Sequence, residues 1–214
     1  MRIALLAALG SLTLVFAALA DEQLDPGLKP APPDGKPGAG SEIPGPFRPY
    51  NITGKDEFRG KFHSVISEHD LDPVVLVLVR GTSPAPVAAL LPPLDEAVKK
   101  NERLRLAAVV VFLSAEISDL VGDDVKRDKA AAEIGDKLAK YKNVSAALDV
   151  PADVKDYKLN DKAEVTVLMY NKYRVLLSRA YPADGLKSGD TIKTLMGDIT
   201  SQLDSVRAAA GNKN

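Results

Sequence analysis

The stretch "KFHSVISEHD", residues 61–70, gathers the side chains of this 214-residue chain best suited to chemistry. It holds both histidines, His63 and His69, beside Glu68 and Asp70. Imidazole with carboxylate is a donor set that suits zinc or copper, and a non-thiol enzyme site would draw on the same groups. The spacing fits no standard ligand motif. In extended backbone, six residues separate the two rings by about 20 Å, so they share an ion only if residues 67–69 turn back. Other chemistries are missing. "GTSPA" at residues 81–85 is not the G-x-S-x-G elbow of a serine hydrolase. Gly81 is isolated, so no glycine-rich loop is available to cradle a phosphate. The chain has no cysteine, which removes thiol nucleophiles, thiol–disulfide exchange and thiolate ligands. The sequence calls for no cofactor.

Charge is nearly balanced, with 28 basic and 29 acidic residues. Nothing in that balance points to nucleic acid or to an anionic membrane surface. Tryptophan is absent and aromatics are 5% of the chain, so stacking platforms for bases are not expected. Asn51-Ile52-Thr53 and Asn143-Val144-Ser145 match the N-glycosylation pattern, a short motif that arises often by chance.

These groups must be positioned by a folded unit, and the sequence divides into three parts. Residues 1–20, "MRIALLAALGSLTLVFAALA", carry one early charge and an apolar run. They end in the small-x-small Ala18-Leu19-Ala20 and read as a signal peptide. The protein is thus expected outside the cytoplasm, in a periplasm or extracellular space. It meets the membrane only if this segment stays uncleaved. A lipid anchor would need a cysteine at the cleavage site. Residues 21–49 are rich in proline and glycine and read as a disordered spacer. Residues 50–210 remain for one domain.

Within that domain, "VVLVLV" at residues 74–79 and "LRLAAVVVFLS" at residues 104–114 are apolar on both faces, the mark of parallel strands inside a sheet. Between them "PVAALLPPLDEAVKKN" has helical spacing, with a kink or restart expected at Pro92-Pro93. Residues 123–143 predict a second helix with Asp123 and Asp124 at its start. "VSAALDV" predicts a short strand, and "AEVTVLMYN" and "VLLSRAY" flank residues 171–174 as a hairpin. Ile192, Leu195, Met196, Ile199, Leu203 and Val206 form the stripe of a last helix, with Asp190 as its cap. Alternating strands and helices followed by a hairpin give an α/β fold of three layers, a mixed central sheet with flanking helices.

This order is similar to the thioredoxin-like fold, in the wider group that includes peroxiredoxins. The resemblance spans residues 60–209. "PVVLVLV" and "PPLDEAV" resemble that fold's strand, active loop and kinked helix, "AEVTVLMYNKYRV" its final hairpin, and "DYKLN" the segment before it. The resemblance implies the scaffold, and the departures bear on its chemistry. Ser83-Pro84-Ala85-Pro86 stands where the family has Cys-x-x-Cys. Val165 stands at the cis-proline position, and an ordinary trans bond is expected there, because a non-proline cis bond costs about 2.5–4 kcal/mol. Ser64 and Ser67, upstream, have the spacing of a Cys-x-x-Cys pair with oxygen in place of sulfur. Two readings stay open for them: a degenerate redox pair, or ordinary polar residues at a strand edge and turn. The leading expectation is a redox-inactive binding or structural module with an unknown protein or peptide partner. The alternative is an enzyme or metal-binding protein using residues 63–70. An exposed apolar patch at Pro84, Pro86 and Val165 would favour peptide binding.

Overall fold

The computed structural model describes residues 24–30 and 41–211. The expected signal peptide lies outside the described residues.

Six strands form one sheet in the order β1-β4-β3-β2-β5-β6: β1 is Tyr50–Asn51, β2 Val74–Arg80, β3 Ala107–Leu113, β4 Val144–Asp149, β5 Val165–Asn171 and β6 Arg174–Tyr181. Strands β2, β3 and β4 run parallel, and β5, β6 and β1 are antiparallel to their neighbours. Every residue from Val74 to Val79 is at most 1% exposed, as a run apolar on both faces requires. Successive side chains alternate between the faces. Val75, Val77, Val79, Val110 and Phe112 join one core, and Val74, Leu76, Leu78, Val109 and Val111 the other.

Three helices cover the first face: α2 (Leu91–Lys100), α3 (Asp124–Leu138) and α4 (Gly189–Gly211). They present Leu91 and Leu94, Ile134 and Leu138, and Leu195, Ile199 and Leu203 to it. The restart at Pro92-Pro93 is resolved by a 3₁₀ turn at Ala85–Val87, after which α2 begins with the prolines in its first turn. There the missing N–H deprives no intrahelical bond. The cap of α4 is Ser188, whose Oγ accepts from the Asp190 amide at 3.3 Å, in place of Asp190 itself. The hairpin turn Lys172-Tyr173 has positive φ at both residues (51° and 64°), the twist that two-residue hairpins favour, here without glycine.

The opposite face is covered by the one-turn helix α1 (Val65–His69), the 3₁₀ segment Pro151–Tyr157 and the proline-rich segment. Composition pointed to a free spacer before residue 50. Its described parts instead pack on the sheet. Leu28, Ile43 and Phe47 are buried, and Phe47 meets Tyr157 edge-on at 5.5 Å. Bridges Leu24–Ala180 and Glu42–Arg174 tie the segment to β6. Gly27, at φ +83°, passes so close to the chain that an added Cβ would lie 2.1 Å from the Lys158 carbonyl oxygen. Isolated apolar residues in an extended chain have no periodicity to read, which is why composition alone missed this strap.

Candidate functional site

Strand register sets the site. Arg80 pairs with Leu113, Leu113 with Asp149, and Val79 with Val165. The carboxyl ends of β2, β3 and β4 and the amino end of β5 therefore share one edge. In open α/β sheets this is the edge where ligands bind. Arg80 fastens the segment before β5 to it. Its Nε donates to the Ala163 carbonyl at 2.8 Å, and its guanidinium reaches the Asn160 carbonyl at 3.1 Å.

The loop at residues 81–86 leaves β2 through Gly81, at φ +81°, whose amide donates to the Leu113 carbonyl at 2.8 Å. Ser83 is exposed, and its Oγ accepts from the Ala85 amide at 3.3 Å. Pro84 and Val165 are buried and Pro86 is half-buried. Among the described residues no peptide bond is cis, Val165 included. The exposed apolar patch that would favour peptide binding at Pro84, Pro86 and Val165 is not present, because Pro84 and Val165 face inward.

Among the described residues, the clefts at this edge include two lined by the loop after β3. One, of about 340 Å³, is lined by Thr82, Ser114, Glu116, Ile117, Lys126 and Lys129 among others. Its charges alternate in sign. The other, of about 500 Å³, has Phe62, Leu120, Val121 and Val150 as apolar lining and Arg48, Asp119 and Asp153 as charges. Arg127 holds the loop between them. Its guanidinium lies 4.6 Å from the Tyr50 ring centroid and 5.9 Å from that of Phe62, and donates to the Leu120 carbonyl at 2.9 Å. Val121 and Val125 stand out beside it, 71% and 76% exposed. Phe62 falls in the stretch of residues 61–70 and Thr82 in the loop after β2, while the other cleft residues read in the sequence as ordinary loop or helix residues.

The polar stretch of residues 61–70 begins as a sheet-edge pairing, where Phe62 bridges antiparallel to Tyr50 of β1, and turns there into a short helix. It folds as α1, with Ser64 as N-cap, its Oγ accepting from the Ser67 amide at 3.2 Å. Ser67 is exposed. The His63 ring stacks on Phe58 at 3.6 Å. Glu68 pairs with Lys55 at 3.2 Å, and Asp70 accepts from the Tyr173 hydroxyl. Burial lowers the His69 pKa, opposed by Glu68. His63, Glu68 and Asp70 thus turn to three separate partners. Among the described residues no three His, Asp or Glu side chains are grouped to hold a metal ion.

Both glycosylation-like asparagines are tied into the fold. Asn51 is buried, and its amide donates to the carbonyls of Pro49, Lys61 and His63 at 3.1–3.2 Å. Asn143 donates from backbone and side chain to Asp95 at 2.7 and 3.1 Å.

No family model matches the chain, and no curated protein matches it. Solved structures do. A Chlorobium tepidum protein described as a thiol:disulfide interchange protein, DsbE, is similar at TM-score 0.50 and 17% identity, over 75% of this chain and 94% of that one. The exposed lipoprotein thioredoxin Etrx1 of Streptococcus pneumoniae is similar at TM-score 0.43 and 16% identity, over 70% of this chain and 99% of that one. The copper-bound ScoI of Bradyrhizobium japonicum is similar at TM-score 0.43 and 12% identity, over 71% and 98%. At 17% identity, the first of these carries the fold and nothing finer. With its mixed six-stranded sheet and flanking helices, the chain has the thioredoxin-like fold, in a sequence that contains no cysteine.

Proposed function

We propose that the chain is an exported, redox-inactive thioredoxin-like domain that binds a protein or peptide partner. One observation carries the reading. The sheet edge that begins β5 and ends β2, β3 and β4 holds two clefts beside a loop without a nucleophile. Clefts with mixed charge and apolar floors suit a polypeptide better than a single small ion. The buried Pro84 and Val165 move the expected contact away from the loop at residues 81–86 and onto the β3–α3 loop, where Val121 and Val125 are exposed. Export rests on the pattern of residues 1–20.

The test is site-specific photo-crosslinking in the producing cell. A crosslinker at Val121 or Lys129 is expected to capture a discrete partner, and one at Lys172, on the opposite sheet edge, is not. Equal capture at all three positions, or none at any, overturns the reading. So does turnover by the purified protein in a thiol–disulfide or peroxide-reduction assay. Tightly bound metal or activity that disappears when His63 and His69 are both replaced by alanine supports the enzyme alternative instead.

A further inference from the structure

The clefts of the binding reading lie on the side of the sheet that carries the first core, since Phe62, Ile117, Leu120 and Val150 all belong to it or pack against it. A further cleft, of about 230 Å³, opens at the same edge on the other side, against Leu113 and Val154 of the second core. Its charged lining is Arg80, Lys155, Lys158 and Asp161, three basic groups against one acidic group. The chain as a whole has a net charge of -1. Positive charge is therefore concentrated locally, at an edge where open α/β sheets bind ligands.

The backbone brings these cations together. Arg80 ends β2, and its guanidinium is fixed by the bonds that Nε and Nη2 donate to the carbonyls of Ala163 and Asn160. Its Nη1 has no partner among the described residues. Lys155 and Lys158 are joined by one 3₁₀ turn, in which the Lys158 amide donates to the Lys155 carbonyl at 3.0 Å. Lys158 then adopts a φ of 51°, and Gly27 of the proline-rich segment packs against its carbonyl. Its backbone is thus held from two directions while the side chain stays exposed. Among the described residues no carboxylate pairs with either lysine. Asp156, between them in sequence, does not line the cleft. Asp161 is fully exposed and stands 3.5 Å from Nη2 of Arg80. Folding gathers like charges here without neutralising them, which is unfavourable until an anion joins them.

We propose that this cleft binds a small dianion, a phosphate or a dicarboxylate. Three cations less one carboxylate leave a charge of +2 in the lining, which a dianion neutralises. The fixed guanidinium offers a planar donor group suited to an oxyanion, and the two lysines close on it as mobile point charges. The cleft is smaller than the roughly 300–1,000 Å³ of sites for drug-sized ligands, so the ligand is small. The site stands apart from the partner reading, and anion binding survives if the β3–α3 loop captures nothing.

The test uses the full chain. The probes are inorganic phosphate and succinate, with acetate as the monoanion and sodium chloride to match ionic strength. Amide NMR is expected to show saturable shifts at residues 80–81 and 155–161 with at least one dianion, about tenfold tighter than with acetate. Response to phosphate alone identifies a phosphoryl ligand, and response to succinate alone a dicarboxylate. Lys155→Met and Lys158→Met are each expected to weaken binding roughly tenfold. Asp161→Asn is expected to strengthen it, and Lys172→Met, at the opposite sheet edge, to leave it unchanged. Shifts that follow ionic strength alone, acetate binding as tight as the dianions, or lysine variants that bind like the wild type overturn the proposal. Should Lys158→Met disturb the fold, Lys155→Met and Asp161→Asn decide the matter.

Discussion

At the scale of single residues, Ser64 and Ser67 separate the two readings left open by their spacing. Their x-x interval has a local cause, since a serine N-cap bonds the amide three residues on. The Ser64 hydroxyl does this, and Ser67 contributes its backbone and leaves its side chain exposed. Ser64→Ala is expected to lower stability by about 1 kcal/mol, whereas Ser67→Ala is expected to stay within about 0.5 kcal/mol of wild type, as most surface changes do. Urea denaturation of both variants measures this, and equal effects would mean that the pair does something other than cap α1. The same residues mark how far the candidate site could be read in advance. Types and spacing singled out residues 63–70, but side chains there turn to different neighbours, His63 to Phe58, Glu68 to Lys55 and Asp70 to Tyr173. Asp149 ends β4 fully buried, and in a sequence a polar residue that ends an apolar strand looks the same whether it faces solvent or is buried.

At the scale of elements, legibility follows burial. Strands β2 and β3 are buried on both faces, so composition alone identifies them, and the stripe of α4 is regular enough to place without tertiary context. Helix α1 spans five residues, too few for a period, and its mixed apolar and polar residues read equally well as a strand edge. The loop after β3 was equally opaque, because its conformation is imposed by Arg127 from α3. Loss of that side chain removes two cation–π contacts and a bond to the Leu120 carbonyl. Arg127→Met, which keeps much of the apolar stem, is expected to destabilise the protein by about 1–2 kcal/mol. It should also speed amide exchange in residues 115–122 while leaving β2 and β3 protected. Unaltered exchange in that loop would show that the β3–α3 connection holds its shape without the arginine, and that α3 does not shape the two clefts through it.

At the scale of the whole molecule, the two faces of the sheet are closed by different means. Three helices cover one, while the other depends on a one-turn helix, a 3₁₀ segment and a strap of proline-rich chain. Burying Leu28, Ile43 and Phe47 contributes about 1.5–3 kcal/mol each before the ordering of the strap is subtracted. The strap is thus a stabilising layer, although its composition resembles that of a linker. Gly27 tests the point where it is held most closely. Both its φ of +83° and the 2.1 Å approach of the Lys158 oxygen to an added Cβ oppose any side chain, so Gly27→Ala is expected to detach that end of the strap at a cost of about 1–2 kcal/mol. A chain beginning at residue 49 should go further, binding a hydrophobic dye and melting at lower temperature because the second core is uncovered. If it melts with the full chain and binds no dye, the face is closed without the strap, and the proline-rich segment returns to the role of spacer that its composition suggests. A strap held this tightly would also place Arg48 beside Phe62 at the larger cleft. Strap removal should therefore weaken partner capture at Val121 more than at Lys129, which lines the other cleft.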